Sequence, residues 1–355
     1  MTDGQPTRDG DTEESTPYPR APGRAVKTSR ATWLISHPAC LAHDTGPNHP
    51  ESRRRLEAVL AALEAPGFEA LARRDAVPAT REQLGRIHDP AYVTAVLNAV
   101  PSSGYRVLDA DTSKPMAAIA AQDESALIPD TVVSPASGEA ALYAAGAVCR
   151  GVDAVLGGEA RRVFCAVRPP GHHALRAQAL GFCLFNNIAV AAAHAVAAHH
   201  LKRVAIVDFD VHHGNGTQSM ADGRPEYLYV SIHQRPLYLE SGGREENRPG
   251  NICNIPLPPG SGSAAFRGRF STDGLPALFD FDPELILISA GFDGHRDDPL
   301  ADLGITEEDY AWLTGELVAA ANYSAGGRVV SALEGGYNLE ALQRSVAAHV
   351  RALMD

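Results

Sequence analysis

The sequence predicts an α/β fold built on a mainly parallel sheet with helices on both faces. Three observations carry this. Short apolar, β-branched runs alternate with longer helical patterns, the signature of βαβ crossovers. Four of these runs empty into polar or glycine-rich segments, as strands do at the carboxyl edge of such a sheet. The chain has 355 residues and 45% hydrophobic content, ample for a sizeable core.

The elements follow in order. Residues 1–30 are rich in Gly, Pro, Thr, Asp and Arg and almost lack large apolar residues apart from Tyr18 and Val26. That composition predicts a disordered tail, with one domain over 31–355. Trp33–Ser36 is the first expected strand, and it opens into His37, His43, Asp44, Asn48 and His49. Pro50 then starts a helix to about Leu63. Two short helices follow at 84–88 and 91–100, split by Pro90. Residues 101–134 form a long, poorly periodic loop, of the kind that is functional or disordered. A helix is expected at 135–156, closed by Gly157 and Gly158.

The pattern then becomes regular. Strands at 162–167, 204–207, 227–232, 285–290 and 328–333 alternate with helices at 187–200, about 264–279, and 339–354. Thr306 with Asp309 resembles a capping box for a helix to about Tyr323.

Bulk properties exclude some function classes. Acidic residues outnumber basic ones, and the formal charge is −12. Nucleic acid and anionic membranes are therefore not expected partners. The five cysteines are odd in number and form no CxxC pair, which argues against a disulfide framework and for a reducing, cytoplasmic setting. The N-terminus shows no apolar signal core, and no run of about 18 apolar residues suggests a membrane span.

Chemistry concentrates in VAIVDFDVHHGNG, residues 204–216. Side chains two apart along an extended chain share a side, so Asp208, Asp210 and His212 point together at a strand end. Carboxylate and imidazole suit zinc or a similar divalent ion. Asp293, beyond another strand, supplies a third ligand. Asp210, His212 and Asp293 would leave an open position for water, the layout of a catalytic metal. His172 and His173, in PPGHHA, are candidate general acid/base groups, because imidazole titrates near neutral pH. Asp208 would orient one of them and Asn215 the other, the second without a charge. Tyr337, after two glycines, could donate to a developing oxyanion.

Each residue also has a plainer reading. A strand-end Asp commonly caps a helix, paired histidines commonly sit on the surface, and a loop tyrosine is commonly half-buried. His194, His199 and His200 read as surface residues of an Ala-rich helix. His37, His43 and His49 read as rim residues or turn formers, and 53–55 as a solvated helix face.

Taken together, the motifs resemble the zinc-dependent histone deacetylase superfamily on the arginase/deacetylase fold. The matches are RPPGHHA (168–174), GFCLFNNIAVAA (181–192), DFDVHHGNGTQ (208–218), SAGFDGHRDDPL (289–300) and LEGGYN (333–338), with HPESRRRLEAV (49–59) and HDPAYV (88–93) upstream. Asn215 and the GFDGHRDDPL wording are most similar to the class II and bacterial acetylpolyamine-amidohydrolase-like branch. The resemblance implies one Zn²⁺ held by Asp210, His212 and Asp293. It implies His172 and His173 as a dyad, with His173 the general base and acid, and Tyr337 polarising the scissile carbonyl. Gly181 would accept from the substrate amide and Phe182 would line an aliphatic tunnel.

It further implies a structural K⁺ or Na⁺ near Asp208, Asp210, His212, Ser231 and Ile232. The implied reaction is hydrolysis of an acetyl or short acyl amide, on an acyl-lysine peptide or protein or on a small acylamine. Leu300 stands where polyamine-specific relatives can carry an acidic gatekeeper, and an apolar residue there leans towards acyl-lysine or a small acylamide. Asp130 falls near the family's contact to the substrate backbone. Residues 113–129 look like an insertion that can cap the tunnel or mediate homo-oligomer contacts.

Two other readings stay open. A dinuclear manganese ureohydrolase would want carboxylates at Gly214 and Gly291, which are glycines here. A non-catalytic acyl-group binder would show decay at the dyad, the ligands or the tyrosine, and all are present.

Overall fold

The computed structural model describes residues 31–108 and 131–355. The expected tail at 1–30, the 113–129 insertion with its expected homo-oligomer contacts, and Asp130 lie outside the described residues. The strands are β1 (Trp33–Ser36), β2 (Ala72–Asp75), β3 (Arg106–Val107), β4 (Val132–Val133), β5 (Arg162–Cys165), β6 (Val204–Asp208), β7 (Tyr227–Gln234), β8 (Ile252–Leu257), β9 (Leu285–Ala290) and β10 (Val329–Leu333). Eight of them form one sheet, ordered β2-β1-β5-β10-β9-β6-β7-β8. Every pairing within it is parallel.

The strand sequences explain this. RVFC, VAIVD, LILISA and VVSAL are continuous apolar runs, and every residue in them is buried. Strands covered on both faces read that way, whereas half-exposed strands alternate. Neighbouring residues of β10 identify the two coverings. Ser331 meets His349 of the helix Leu339–Met354 at 2.9 Å. Val330 lies against Gly151 of the helix Ser137–Gly157. Successive strand residues point to opposite faces, so these two helices lie on opposite sides of the sheet. The helix Ser137–Gly157 is long and apolar enough to cross a membrane, but 67% of its most apolar window is buried inside the fold.

The sequence reading locates β1 and β9 to the residue and misses β2 and β8. Three of the four β2 residues are exposed, so this edge strand carries no apolar signal. β8 contains Asn254 and Pro256, residues that are depleted in strands. The helix expected at 264–279 is present as one helical run over 263–281 with a wide turn inside it. Ser263–Arg269 and Leu275–Phe281 flank a wide turn at Phe270–Gly274. Pro276 lacks the N–H that a regular helix would need, and the wider turn absorbs the missing bond.

A second correction concerns the helix Arg53–Ala62. Arg53 is exposed, but Arg55 is fully buried and does not belong to a solvated face. Its guanidinium donates to the Gly336 carbonyl at 2.6 Å and to the Glu334 carbonyl, and it pairs with Glu51 at 3.1 Å. Arg168 forks onto both oxygens of Glu51 and also donates to the carbonyls of Cys40 and His43. His43, expected at a rim or turn, is buried between Ser137 and Glu51. Glu51 therefore neutralises two buried guanidiniums, one four residues away and the other 117 residues away in sequence.

Removing one partner of a buried pair strands the other charge. Glu51→Ala is expected to lower the unfolding free energy by about 3–5 kcal/mol. Urea unfolding followed by far-UV circular dichroism measures it, and a loss below about 1 kcal/mol would be that of an exposed pair.

Candidate active site

Four strands that are neighbours in the sheet, β5, β10, β9 and β6, deliver the candidate residues. His172 and His173 follow β5. Tyr337 follows β10. Asp293 follows β9. Asp208 ends β6, and Asp210 and His212 lie just past it. All four strands run the same way, so their carboxyl ends open on one edge.

At that edge a carboxylate oxygen of Asp210, one of Asp293 and a ring nitrogen of His212 lie within 4.8 Å of one another. His212 Nδ1 is 3.1 Å from Asp210 Oδ1 and 3.2 Å from Asp293 Oδ2. The outer oxygens are held by backbone, with Gly335 N–H on Asp210 Oδ2 at 2.8 Å and Val211 N–H on Asp293 Oδ1 at 2.9 Å. Ligand atoms about 2.0–2.1 Å from a tetrahedral ion stand about 3.3 Å apart, so the separations and the donor chemistry both fit one zinc-like ion. Burial disfavours charge here, yet the hydrogen bonds from His212 to Asp210 and Asp293 raise the imidazole to about 10. The pair of carboxylates thus draws a positive charge to this point.

A second ion does not fit. A Cβ at Gly291 would lie 2.0 Å from Asp210 Oδ2, and one at Gly214 would lie 2.3 Å from Asp208 Oδ2. A carboxylate cannot be placed at Gly291 without moving Asp210, nor at Gly214 without moving Asp208.

The tandem histidines differ by design of their partners. His172 Nδ1 is 3.0 Å from Asp208 Oδ2, and its Nε2 is 3.8 Å from Asp210 Oδ1. Burial works against its charge, but Asp210 and Asp208 outweigh burial and hold it well above the usual imidazole range. His173 Nδ1 is 2.8 Å from Asn215 Oδ1. Burial, then His172 and His212, push His173 well below that range. The Asn215 Nδ2 group faces the His173 carbonyl at 3.4 Å, so its oxygen faces the ring. His173 Nδ1 accordingly carries the proton and Nε2 the lone pair. One imidazole is poised as a cation and its neighbour as a base. Asp208 also accepts from the Tyr229 hydroxyl at 3.1 Å. Ser231, beside Asp208 in the β6–β7 register, is buried with Ile232.

A cleft of about 220 Å³ opens onto these groups. Its lining joins His172, His173, His212 and Tyr337 to Pro170, Gly181, Phe182, Leu237, Tyr238, Leu300 and Gly335. Burial raises the Tyr337 phenol well above its ordinary value despite Arg55 beside it, so the hydroxyl keeps its proton and can donate. Gly181 has φ +54°, and a Cβ there would stand 2.4 Å from the His173 ring.

The sequence reading misses several residues of this region. Tyr238 packs edge-on to His173 at 5.2 Å between ring centroids. Glu334, fully buried, accepts from the N–H groups of Gly171 and His172 at 2.6 and 3.2 Å and from Ser289 at 3.2 Å. Glu51, which pairs with Arg55, precedes the N-cap Ser52 of the helix that carries Arg55. The reading of His194 as a surface residue is also corrected. It is buried, and with His199 it meets Asp153 Oδ1 at 2.7 Å. Arg86 donates to His194 Nδ1, so the proton sits on Nε2 and the cluster ties helices rather than offering a lone pair to a metal.

The family model described as "Histone deacetylase domain" matches residues 49–353. The chain belongs to the histone deacetylase family. As a member it is a hydrolase acting on amides. It is 37% identical to a histone deacetylase-like amidohydrolase of Pseudomonas aeruginosa over 86% of this chain and 75% of that one. It is 39% identical to the human polyamine deacetylase HDAC10 over 86% of this chain and 44% of that protein, so it spans less than half the human relative. A solved structure of the HDA15 HD domain superposes with a TM-score of 0.80 at 31% identity, covering 92% of this chain and 89% of that one. The arginase/deacetylase fold of this family accommodates the whole parallel sheet described above.

Gly181→Ala tests how tightly the dyad is framed. Misplacing a catalytic group by about 1 Å costs on the order of 10²-fold in rate, and that fall in kcat is expected here. Steady-state kinetics on an acetylated substrate measure it, and a wild-type kcat would show that His173 tolerates the displacement.

Proposed function

We propose that this protein is a zinc-dependent deacetylase acting on acetyl-lysine in peptides or proteins. One observation carries the reading: the Asp210–His212–Asp293 group, the tandem histidines and Tyr337 all border one cleft whose remaining walls are largely apolar. Zinc, held by those three residues, would supply a Lewis acid that makes water more acidic and polarises a carbonyl.

The chain's own residues supply the rest. His173 Nε2 takes the proton of the attacking water, its tautomer set by Asn215. His172 stays charged against Asp208 and adds positive potential where anionic charge develops. The Tyr337 hydroxyl donates to the carbonyl oxygen as it becomes an oxyanion. His173 then returns its proton to the departing amine. Phe182, Leu237, Tyr238 and Leu300 exclude water and suit an unbranched alkyl chain. The Gly181 carbonyl is the candidate acceptor for the substrate amide. Asp130 is assigned to the substrate backbone on sequence grounds alone.

Leu300 favours lysine over polyamine. An apolar wall offers nothing to a second ammonium group, which would lose hydration without gaining a partner. A small acylamine is the alternative substrate. A structural K⁺ or Na⁺ is assigned to oxygens of Asp208, Asp210, His212, Ser231 and Ile232; the pairing of Asp208 with Ser231 between β6 and β7 supports this. A reducing cytoplasm suits five cysteines that are all free, four of them buried.

Wild-type protein is expected to release fluorophore from an acetyl-lysine peptide with a higher kcat/KM than it shows for acetylated polyamines. Tyr337→Phe is expected to lose on the order of 10²–10³ in kcat. Equal rates for the two proteins would remove the phenol from the mechanism, and a preference for polyamines would overturn the substrate assignment.

A further inference from the structure

Tyr337 and Leu300 lie on different segments, one after β10 and one after β9, yet both face the cleft. A single buried carboxylate joins them. Asp298 Oδ2 accepts from the backbone N–H of Tyr337 at 2.6 Å and of Asn338 at 3.2 Å. Its Oδ1 accepts from the N–H of Leu300 at 3.1 Å. Asp298 is only 6% exposed, so these three donors replace water around it. The tyrosine backbone is held from the other side as well. Arg55 donates to the Gly336 carbonyl at 2.6 Å and lies 4.8 Å from the Tyr337 ring centroid. Asn338 then caps the helix Leu339–Met354, its side chain accepting from Ala341 N–H at 3.0 Å and donating to the Asp297 carbonyl at 2.9 Å.

The peptide unit that launches the phenol is thus fixed at both ends, at its preceding carbonyl by Arg55 and at its N–H by Asp298. Charge-assisted bonds to a carboxylate are about twice as strong as neutral ones. No other side chain reaches from the Leu300 backbone to the Tyr337 backbone among the described hydrogen bonds.

We propose that Asp298 is a positioning residue that locks the Tyr337 phenol and the Leu300 wall into one rigid unit. The inference rests on Tyr337 being the oxyanion donor. Asp298 touches no substrate and acts only through the two segments it joins.

A double-mutant cycle tests it on the zinc-loaded protein, with kcat and KM measured on an acetyl-lysine peptide. Asp298→Ala is expected to lower kcat by on the order of 10–10²-fold with KM changed by less than about threefold, since geometry and not ground-state binding is lost. Asp298→Asn is expected to fall between, because its one carbonyl oxygen serves only one of the two segments. In the Tyr337→Phe background, Asp298→Ala is expected to cost no more than about twofold, because the phenol it positions is gone. If Asp298→Ala fails to fold by circular dichroism, Asp298→Asn in both backgrounds carries the cycle. A wild-type kcat for the Asp298 variants, or the same fold-loss in both backgrounds, overturns the inference. A wild-type rate for Tyr337→Phe overturns the tyrosine's role instead, and is read from the single mutant alone.

Discussion

Four carboxyl side chains removed from the protein surface meet at one edge of the sheet. Asp208, Asp210, Asp293 and Glu334 are all buried, and they lie on or just beyond three adjacent strands. Burying an unpaired carboxylate is costly, and burying several together adds mutual repulsion. The surrounding structure answers that cost. His172 sits against Asp208, His212 lies between Asp210 and Asp293, and backbone N–H groups of Gly171, Val211 and Gly335 take remaining oxygens. A divalent cation at the His212 position would complete the compensation. The site is therefore a cluster of buried carboxyl groups compensated by imidazoles and backbone N–H donors, supported by a closely packed sheet.

The same constraint explains why the two histidines differ. A dyad in which both rings charged, or neither did, could not separate the work of base and electrostatic support. Here an aspartate partners one ring and an amide partners the other. The two carboxyl-edge loops that carry tyrosine and tunnel wall are in turn anchored by buried charges, Arg55 beneath and Asp298 beside. Stability is spent on holding loops, the elements that a protein otherwise leaves loose.

Much of the site was legible in sequence because its signals are local. Asp208, Asp210 and His212 alternate along one strand exit, and that alternation alone placed three side chains together. Asp293, Tyr337 and the dyad were found because each follows an apolar run at the same sheet edge. Leu300 and Phe182 do line the cleft. What sequence could not show is contact between distant charges. Arg55 looked like one of three exposed arginines, and only its meeting with carbonyls some 280 residues later reveals its work. Asp298 has no role in the sequence reading, and only its meeting with the backbone of Tyr337 and Asn338, about 40 residues later, reveals its work. Tyr238 comes close to His173 through the path of its loop, which no periodicity encodes. Strands β2 and β8 were missed for a related reason. Edge strands need not be apolar, so their pattern is silent.

The central claim is that the carboxylate-rich edge holds one divalent ion through Asp210, His212 and Asp293. Metal content settles it most directly. After chelator treatment, Zn²⁺ loading and exhaustive dialysis, elemental analysis of the wild-type protein should give one zinc per chain, and Asp293→Asn should retain little or none. Two tightly held ions per chain, or full retention of zinc by Asp293→Asn, would contradict the account.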